Sequence, residues 1–275
     1  MNLEDLKKLL DLEPLEDLLF RGESWDVGGR MVFGGQVLAQ ALMAAGRTVP
    51  AERHAHSLHA YFLRPGAMDQ PIVFRVETPR DGRSFTTRHV AAIQRGRPIF
   101  QLSASFQIDE TGLDHQSPTP QVPDPATLTR TTPPRRSRPF DFRRISPSEQ
   151  TSQDARPNEQ QLWLKTRGEL EENRLLHQCV LAYVSDFHLL STALLPHGLT
   201  FQAPGVRGAS LDHAMWFHRP FRADDWLLYS MESPNATGGR GLAHGRFYDT
   251  NGQLVASASQ EGLLRYQNPA PESDK

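Results

Sequence analysis

An acid, a hydroxyl and an amide in the second half of the chain are the strongest candidates for chemistry. Asp186 lies within LAYVSDF, Ser210 within ASLDH and Gln260 within SASQEG. A carboxylate can exchange a proton, while a hydroxyl and an amide donate and accept hydrogen bonds. The three groups together would therefore suit a reaction that moves a proton at a fixed position.

Asp186 is notable for its position. It follows Tyr183 by three residues and precedes Leu190 by four, so a helix places it on or beside an apolar face. A carboxylate there is costly unless it is hydrogen-bonded or functional, although an acid at the margin of the face could simply be partly solvated. Ser210 and Gln260 also have an ordinary interpretation, as a surface serine and a strand glutamine with routine hydrogen bonds.

The chain carries one pattern twice. Residues 57–105 match residues 212–260 without a gap, so that Arg64-Pro65 recurs as Arg219-Pro220. Two copies of this length are too long and too few for a solenoid. They predict two like domains packed against each other.

Only the second copy carries the candidate set. The same alignment places Ser210 over Ala55 and Gln260 over Ser105, and residues 31–46, which hold the helix of the first copy, contain no acid. The acid, hydroxyl and amide are therefore not needed to build the fold, and we expect one active constellation per chain.

Each copy is predicted to be one long apolar helix followed by antiparallel strands, which is an α+β unit. The exposed strand edges of the two copies can then be buried against each other. Helical spacing of apolar residues predicts helices over residues 3–20, 35–46 and 172–195. Strands are predicted over residues 57–64, 71–78, 85–95, 99–107, 210–218, 226–233, 240–248 and 253–265.

The predicted domains are separated by a proline-rich segment. The N-terminal unit covers residues 1–115 and the C-terminal unit, with the candidate set, covers residues 150–268. Residues 116–149 are predicted to be an extended linker, because proline stiffens and extends a chain.

Composition excludes several classes of function. A formal net charge of −2 gives no electrostatic case for binding nucleic acid. The single cysteine, Cys179, excludes an intrachain disulfide, and the 11 histidines show no HExxH or comparable spacing, so no metal or other cofactor is expected. No run approaches the ~18 apolar residues of a membrane helix, and no signal peptide is recognisable. We therefore expect a cytoplasmic protein without membrane insertion.

Five long strings resemble one enzyme family. VFGGQVLAQAL, HSLHAYFLRPG, LAYVSDFHLL, SLDHAMWFHRPF and SASQEGLLR, in this order, are similar to the acyl-CoA thioesterase II (TesB-type) family over about residues 15 to 266. The resemblance implies a double hotdog fold, in which each half is a long helix wrapped by an antiparallel sheet. It also implies an acyl-CoA substrate and a homodimer or homotetramer.

The resemblance assigns roles to the candidate residues. The family holds an attacking water with an Asp, a Thr or Ser, and a Gln, which correspond here to Asp186, Ser210 and Gln260. Bacterial members commonly have Thr where this chain has Ser210. We expect burial beside an apolar face to raise the pKa of Asp186 and help it act as a general base. Backbone N–H groups at Gly34-Gly35, where a helix begins, are expected to stabilise the oxyanion.

Two other functions remain open. Hotdog folds also serve hydratases and dehydratases, so an enoyl-CoA hydratase is one alternative. The other is an acyl-CoA-binding protein without catalytic activity, because fold alone does not decide function.

Overall fold

The computed structural model describes residues 2–25, 31–130, 139–145 and 157–267. The protein is α+β: helices α1 (Leu3–Leu10), α2 (Gly34–Gly46) and α3 (Arg174–Ser185) accompany one long antiparallel sheet. The strands are β1 (Glu13–Glu16), β2 (Leu19–Gly22), β3 (Arg53–Phe62), β4 (Ile72–Asp81), β5 (Phe85–Gln94), β6 (Arg97–Ile108), β7 (Phe140–Arg144), β8 (Glu159–Thr166), β9 (Val206–Ser210), β10 (Asp212–Phe217), β11 (Leu227–Thr237), β12 (Arg240–Tyr248) and β13 (Leu254–Tyr266).

The strands of the two halves join edge to edge. Their order in the sheet is β1-β2-β4-β5-β6-β3-β10-β13-β12-β11-β8-β7, and β9 pairs with β13 beside this path. At the junction β3 runs antiparallel to β10, with His59 opposite Ala214. The two halves thus bury their inner strand edges against each other, as the duplicated sequence suggested.

Helices α2 and α3 lie antiparallel in the core between the two halves. A Cβ atom on Gly35 would lie 2.3 Å from the carbonyl oxygen of Tyr183, and one on Gly46 would lie 2.4 Å from Leu175 Cδ1. Glycine at both ends therefore allows the helix backbones to approach closely. As a result, the N-terminus of α2 meets the C-terminus of α3.

The predicted helix over residues 3–20 is wrong beyond Leu10. Pro14 lacks an N–H and its ring would clash with the preceding turn, so the helix cannot continue through it. The chain forms the hairpin β1–β2 instead, in which Arg21 Nε donates to Glu13 Oε2 at 2.7 Å.

The predicted helix over residues 172–195 is interrupted. Helix α3 ends at Ser185, and a separate 3-10 helix spans Leu190–His197. Between them His188 adopts a φ of 66°, a left-handed conformation that an α-helix does not accommodate. The predicted strand over residues 210–218 is likewise two strands, because β9 and β10 are separated at Leu211.

Residues 116–149, predicted to be a linker, contact the C-terminal half where the structure describes them. Strand β7 falls in this range and pairs with β8, which no sequence pattern had indicated. Trp163 Nε1 donates to the carbonyl of Pro123, and Gln116 Nε2 donates to the carbonyl of Gly252. The predicted boundary between residues 149 and 150 lies outside the described residues.

The stretch Arg174–His197, which includes α3, corrects the expectation that no run was apolar enough to span a membrane. Its 24 residues meet that test by length and composition. However, 78% of its most apolar window is buried inside the protein. Such burial is typical of the core helix of a globular protein.

Candidate active site

The structure brings Asp186, Ser210 and Gln260 into one hydrogen-bonded group. Gln260 Nε2 donates to Asp186 Oδ1 at 2.7 Å and to Ser210 Oγ at 3.0 Å. The Gln260 side chain is fully buried, whereas Asp186 and Ser210 are half-buried. One amide therefore fixes the spacing between the carboxylate and the hydroxyl.

Asp186 is held between the ends of two helices. It is the C-cap residue of α3, where a carboxylate opposes the negative end of the helix dipole. Its Oδ2 accepts the Gly35 N–H of α2 at 2.9 Å, and the N-cap residue of α2, Phe33, provides no side-chain cap. The positive end of α2 thus offsets the unfavourable placement of the carboxylate.

Ser210 and Gln260 are positioned by the local pairing of β9 and β13. Ser210 is the last residue of β9 and lies opposite Gly262. The next residue, Leu211, donates its N–H to the carbonyl of Glu261 and accepts the N–H of Phe62, a residue of the first half. The break between β9 and β10 therefore ties the hydroxyl to both halves of the protein.

Hydrogen bonds to the preceding residue, Ser185, help to fix the position of Asp186. Tyr229 Oη donates to the carbonyl of Ser185 at 2.7 Å, and Ser185 Oγ lies 2.9 Å from His213 Nε2. Burial lowers the pKa of His213 to about 3, so the imidazole is neutral near pH 7. Burial is also the main cause that raises the pKa of Tyr229, and the nearby Asp186 charge adds to it. Sequence reasoning missed these residues, because Tyr229 and His213 look like ordinary strand residues.

The strand pairing shows that the ungapped alignment of the two repeats is wrong by one residue at Gln260. In the strand ladders His89 lies opposite Ser103 and His244 lies opposite Ser259, so the hairpin between β12 and β13 has one residue more than its counterpart. Gln260 therefore corresponds to Ala104, not to Ser105.

The first half consequently holds alanine at the positions of two of the candidate catalytic residues. Ala104 stands for Gln260, and Ala55 stands for Ser210; both alanines are buried. The carbonyl of Ala55 accepts a hydrogen bond from Gln178 Nε2 of α3 at 2.7 Å. In the first half, the region that corresponds to the candidate site is therefore filled by packed alanines and a hydrogen bond to the backbone.

Gly34 and Gly35 both lie next to Asp186, but their backbone N–H groups have different surroundings. The Gly35 N–H points at Asp186, so it orients the carboxylate. The Gly34 N–H has no acceptor within the described part of the chain. A Cβ on Gly34 would lie 2.9 Å from Asp186 Oδ2 and 3.1 Å from a ring carbon of Phe62, so only glycine leaves this space open.

Among the residues that the structure describes, neither a metal cluster nor a reactive thiol is present. Within the described ranges, no group of three or more His, Cys, Asp or Glu residues could hold a metal ion. Cys179 is fully buried, and burial raises the pKa of its thiol well above the usual range. A buried thiol of this kind behaves as a small apolar side chain.

Comparison with known proteins gives a consistent result. Family models described as acyl-CoA thioesterase and acyl-CoA thioesterase N-terminal domain match residues 139–263 and 21–107. The acyl-CoA thioesterase 2 of Haemophilus influenzae is 45% identical over 96% of this chain and 98% of its own. The crystal structure of acyl-CoA thioesterase II TesB2 from Mycobacterium marinum is 42% identical, covers 96% of this chain and 100% of its own, and has a TM-score of 0.83.

The fold has a more distant likeness as well. A conserved protein with a hot dog fold from Alicyclobacillus acidocaldarius is 20% identical, covers 96% of this chain and 98% of its own, and has a TM-score of 0.80. The double hotdog fold implied by the sequence is confirmed.

Proposed function

Since the chain belongs to the acyl-CoA thioesterase family and is a hydrolase of thioester bonds, we propose that it uses a water molecule held by Asp186, Ser210 and Gln260. The reaction converts a fatty acyl-CoA and water into a free fatty acid and CoA. The observation that carries this assignment is the Gln260 amide, which donates to the carboxylate and the hydroxyl at once. The amide thus sets the spacing between two oxygen acceptors, Asp186 Oδ1 and Ser210 Oγ.

In this mechanism Asp186 is the general base. It takes a proton from the water as the water oxygen attacks the thioester carbonyl. The tetrahedral intermediate then collapses, the carbon–sulfur bond breaks, and the proton passes to the departing sulfur of CoA. Ser210 and Gln260 orient the water and do not bond covalently to the acyl group.

The negative oxygen of the intermediate is assigned to the N-terminus of α2. Helix N-termini present backbone N–H groups and a positive dipole end, both of which stabilise an oxyanion. Gly35 donates to Asp186, which leaves the Gly34 N–H as the donor proposed for the oxyanion. Asp186 and this donor come from opposite halves of the chain.

Ser210 is a poor candidate for a covalent nucleophile. A nucleophilic hydroxyl needs a base within hydrogen-bond reach. The partner of Ser210 Oγ is the Gln260 amide, which donates to it and cannot remove its proton. Intact mass spectrometry during turnover should therefore show no acyl group on the protein.

The decisive experiment measures thiol release from acyl-CoA substrates of increasing chain length. We expect the wild type to release CoA, and Gln260→Ala to lose at least about tenfold in kcat, since it loosens both the acid and the hydroxyl. Gln107→Ala is the matched control, because Gln107 is a strand glutamine of the first half whose Nε2 donates to Glu110 Oε2 at the surface. Water addition to an enoyl-CoA without thiol release would favour a hydratase, and acyl-CoA binding with neither reaction would favour a non-catalytic protein.

Location and assembly follow by analogy with the relatives. We propose that the protein acts in the cytoplasm without inserting into a membrane, as a homodimer or homotetramer. Fractionation and light scattering test these two proposals.

A further inference from the structure

The side chain of Tyr229 is held rigidly beside the last turn of α3. Tyr229 lies in β11 and is buried, and its ring stacks on Phe247 of β12 with the ring centroids 4.0 Å apart. A Cβ on Gly245 would lie 2.4 Å from Tyr229 Cε2, so β12 has a glycine where the ring needs space. The hydroxyl is therefore fixed at one place, where its Oη donates to the Ser185 carbonyl oxygen at 2.7 Å.

That carbonyl belongs to the peptide group that joins Ser185 to Asp186. On the other side of the same peptide group, the Asp186 N–H donates to the carbonyl of Val184. The peptide plane is thus held at both of its polar ends, which restricts the backbone rotations that would move the Asp186 side chain. The carboxylate consequently keeps its place between the donors from Gly35 and Gln260.

The tyrosine hydroxyl also changes the electrostatic surroundings of the carboxylate. The last carbonyls of a helix have no donor within the helix, and this negative end disfavours a nearby carboxylate. Tyr229 donates to one of these carbonyls and so reduces the effect on Asp186. The two side chains are close enough to interact, because the Asp186 charge adds to the effect of burial in raising the pKa of Tyr229. The hydroxyl therefore keeps its proton near neutral pH and remains a donor.

Two histidines near Asp186 have other contacts. His213 of β10 lies against Ser185 Oγ, and burial keeps its imidazole neutral near pH 7. His188, two residues after Asp186, directs its ring at Phe142 of β7. The elements α2, β9 and β13 contribute uncharged groups, which are the Gly35 N–H, the Ser210 hydroxyl and the Gln260 amide.

We propose that Tyr229 is a positioning residue for the general base. Its hydroxyl fixes the peptide group that carries Asp186 and favours the charged form of the carboxylate. Because Tyr229 is buried, it acts through Asp186 and not by contact with the substrate. The assignment rests on the proposed function, since it requires Asp186 to take a proton from water.

The test replaces Tyr229 by Phe and measures thiol release from an acyl-CoA over a pH series. Phe keeps the ring and its stacking on Phe247, so the variant should fold. We expect kcat to fall by about fivefold or more, since the loss of one hydrogen bond changes a rate by about this factor, and KM to stay unchanged. The acid limb of the kcat profile should move to higher pH, because a carboxylate that is less favoured in its charged form keeps its proton longer.

Tyr248→Phe is the matched control, since it removes the hydroxyl of a second buried tyrosine, which belongs to a separate apolar cluster. It should leave kcat, KM and the acid limb unchanged. A fall in kcat as large as that of Tyr229→Phe would contradict the assignment, because it would show that any buried tyrosine hydroxyl has this effect.

A second comparison shows whether Tyr229 acts through Asp186. Tyr229→Phe is combined with Asp186→Asn, whose side chain carries no charge. We expect no further fall in kcat in the double variant, because residues that act through one another are not additive. An equal fall in both backgrounds, or an unchanged kcat and acid limb in Tyr229→Phe alone, would overturn the positioning role and leave the hydrolysis proposal standing. Absence of thiol release from the wild type would instead contradict the proposed function.

Discussion

The two ends of the α2–α3 helix pair each bring a glycine of α2 against α3, but their helix termini find hydrogen-bond acceptors in different ways. At one end α3 begins with its own cap, Asn173, whose Oδ1 accepts the Leu176 N–H at 3.2 Å, and Arg47 follows the end of α2. At the other end the N-cap residue of α2, Phe33, provides no side-chain cap, and Asp186 from the end of α3 supplies the acceptor. At the first end the terminal backbone groups find partners within their own helix. At the second end the Gly35 N–H of α2 finds its acceptor on the other helix.

This difference shows how a cap can become a reactive group. Every helix N-terminus leaves N–H groups that need acceptors, and a carboxylate is a favourable one. Asn173 uses its oxygen within its own helix. Asp186 gives one oxygen to Gly35 and the other to Gln260, whose amide also donates to the hydroxyl of Ser210.

The largest expected effect is on turnover at the second end. Asp186→Asn should cut kcat by about 10²-fold or more, because it removes the general base while keeping an oxygen for the Gly35 N–H. Asp11→Asn removes a carboxylate that pairs with Arg47 at the first end, and it should leave kcat unchanged. Near-wild-type thiol release from Asp186→Asn would end the proposed mechanism.

Replacing the glycine at each end of the helix pair by alanine should destabilise the protein by different amounts. In Gly35→Ala the new Cβ meets the rigid carbonyl oxygen of Tyr183, so the helices must move apart, at about 1–3 kcal/mol in the free energy of unfolding. The movement also withdraws the N–H from Asp186 and should lower kcat. In Gly46→Ala the Cβ meets the terminal carbons of Leu175, which can rotate away, so both effects should be smaller. Denaturant unfolding and thiol release measure the two quantities, and equal losses would contradict the comparison.

The stability of the protein as a function of pH should reveal a difference between the two halves at one buried position. His213 occupies the position that buried Leu58 holds in the first half. Burial lowers its pKa from 6.5 to about 3, so below pH 6.5 the unfolded chain binds a proton that the folded protein does not. Stability is therefore unaffected by this group above pH 6.5 and falls as the pH drops towards 3, by at most about 1.4 kcal/mol per pH unit.

The variant His213→Leu should reduce this acid sensitivity, which unfolding measured from pH 7 to pH 4 would show. His177, whose pKa is also lowered mainly by burial, contributes in the same direction in both proteins. The difference between the two curves therefore isolates His213. Parallel curves would show that the imidazole is not kept neutral by the fold.

The smallest effect is expected at the first end. Asn173→Ala should cost about 1 kcal/mol of stability, the usual loss for an N-cap, with kcat unchanged. Thermal unfolding and thiol release on the same sample would measure both. A substantial fall in kcat would mean that the two ends are coupled through the helices, and the division of roles proposed above would be wrong.

Local patterns were sufficient to predict helix α2 and strands β3 to β6 and β10 to β13, because apolar spacing and turn residues lie close together in the sequence. They did not predict β1, β2, β7, β8 or the separate strand β9. Asp186, Ser210 and Gln260 were singled out by residue type and by the difference between the repeats, and motif resemblance assigned their roles. The structure brings the three residues together. The alignment placed Gln260 over Ser105 because an ungapped comparison cannot see a hairpin that is one residue longer.

Contacts between distant segments were beyond local patterns. The end of α3 at Ser185 depends on the left-handed His188, which apolar spacing does not reveal. The bond from Gly35 to Asp186 and the hydroxyl of Tyr229 on the Ser185 carbonyl are tertiary contacts, and no spacing rule predicts them.

The Gly35–Asp186 bond joins residues that are 151 positions apart, which has a consequence for the order of folding. Contacts of such long range form late, because a large loop must close before they contribute any stability. During synthesis the first half emerges and folds before the acid has left the ribosome. Hydrolytic activity should therefore arise only once almost the whole chain is present, and partly made chains should leave the thioesters around them intact.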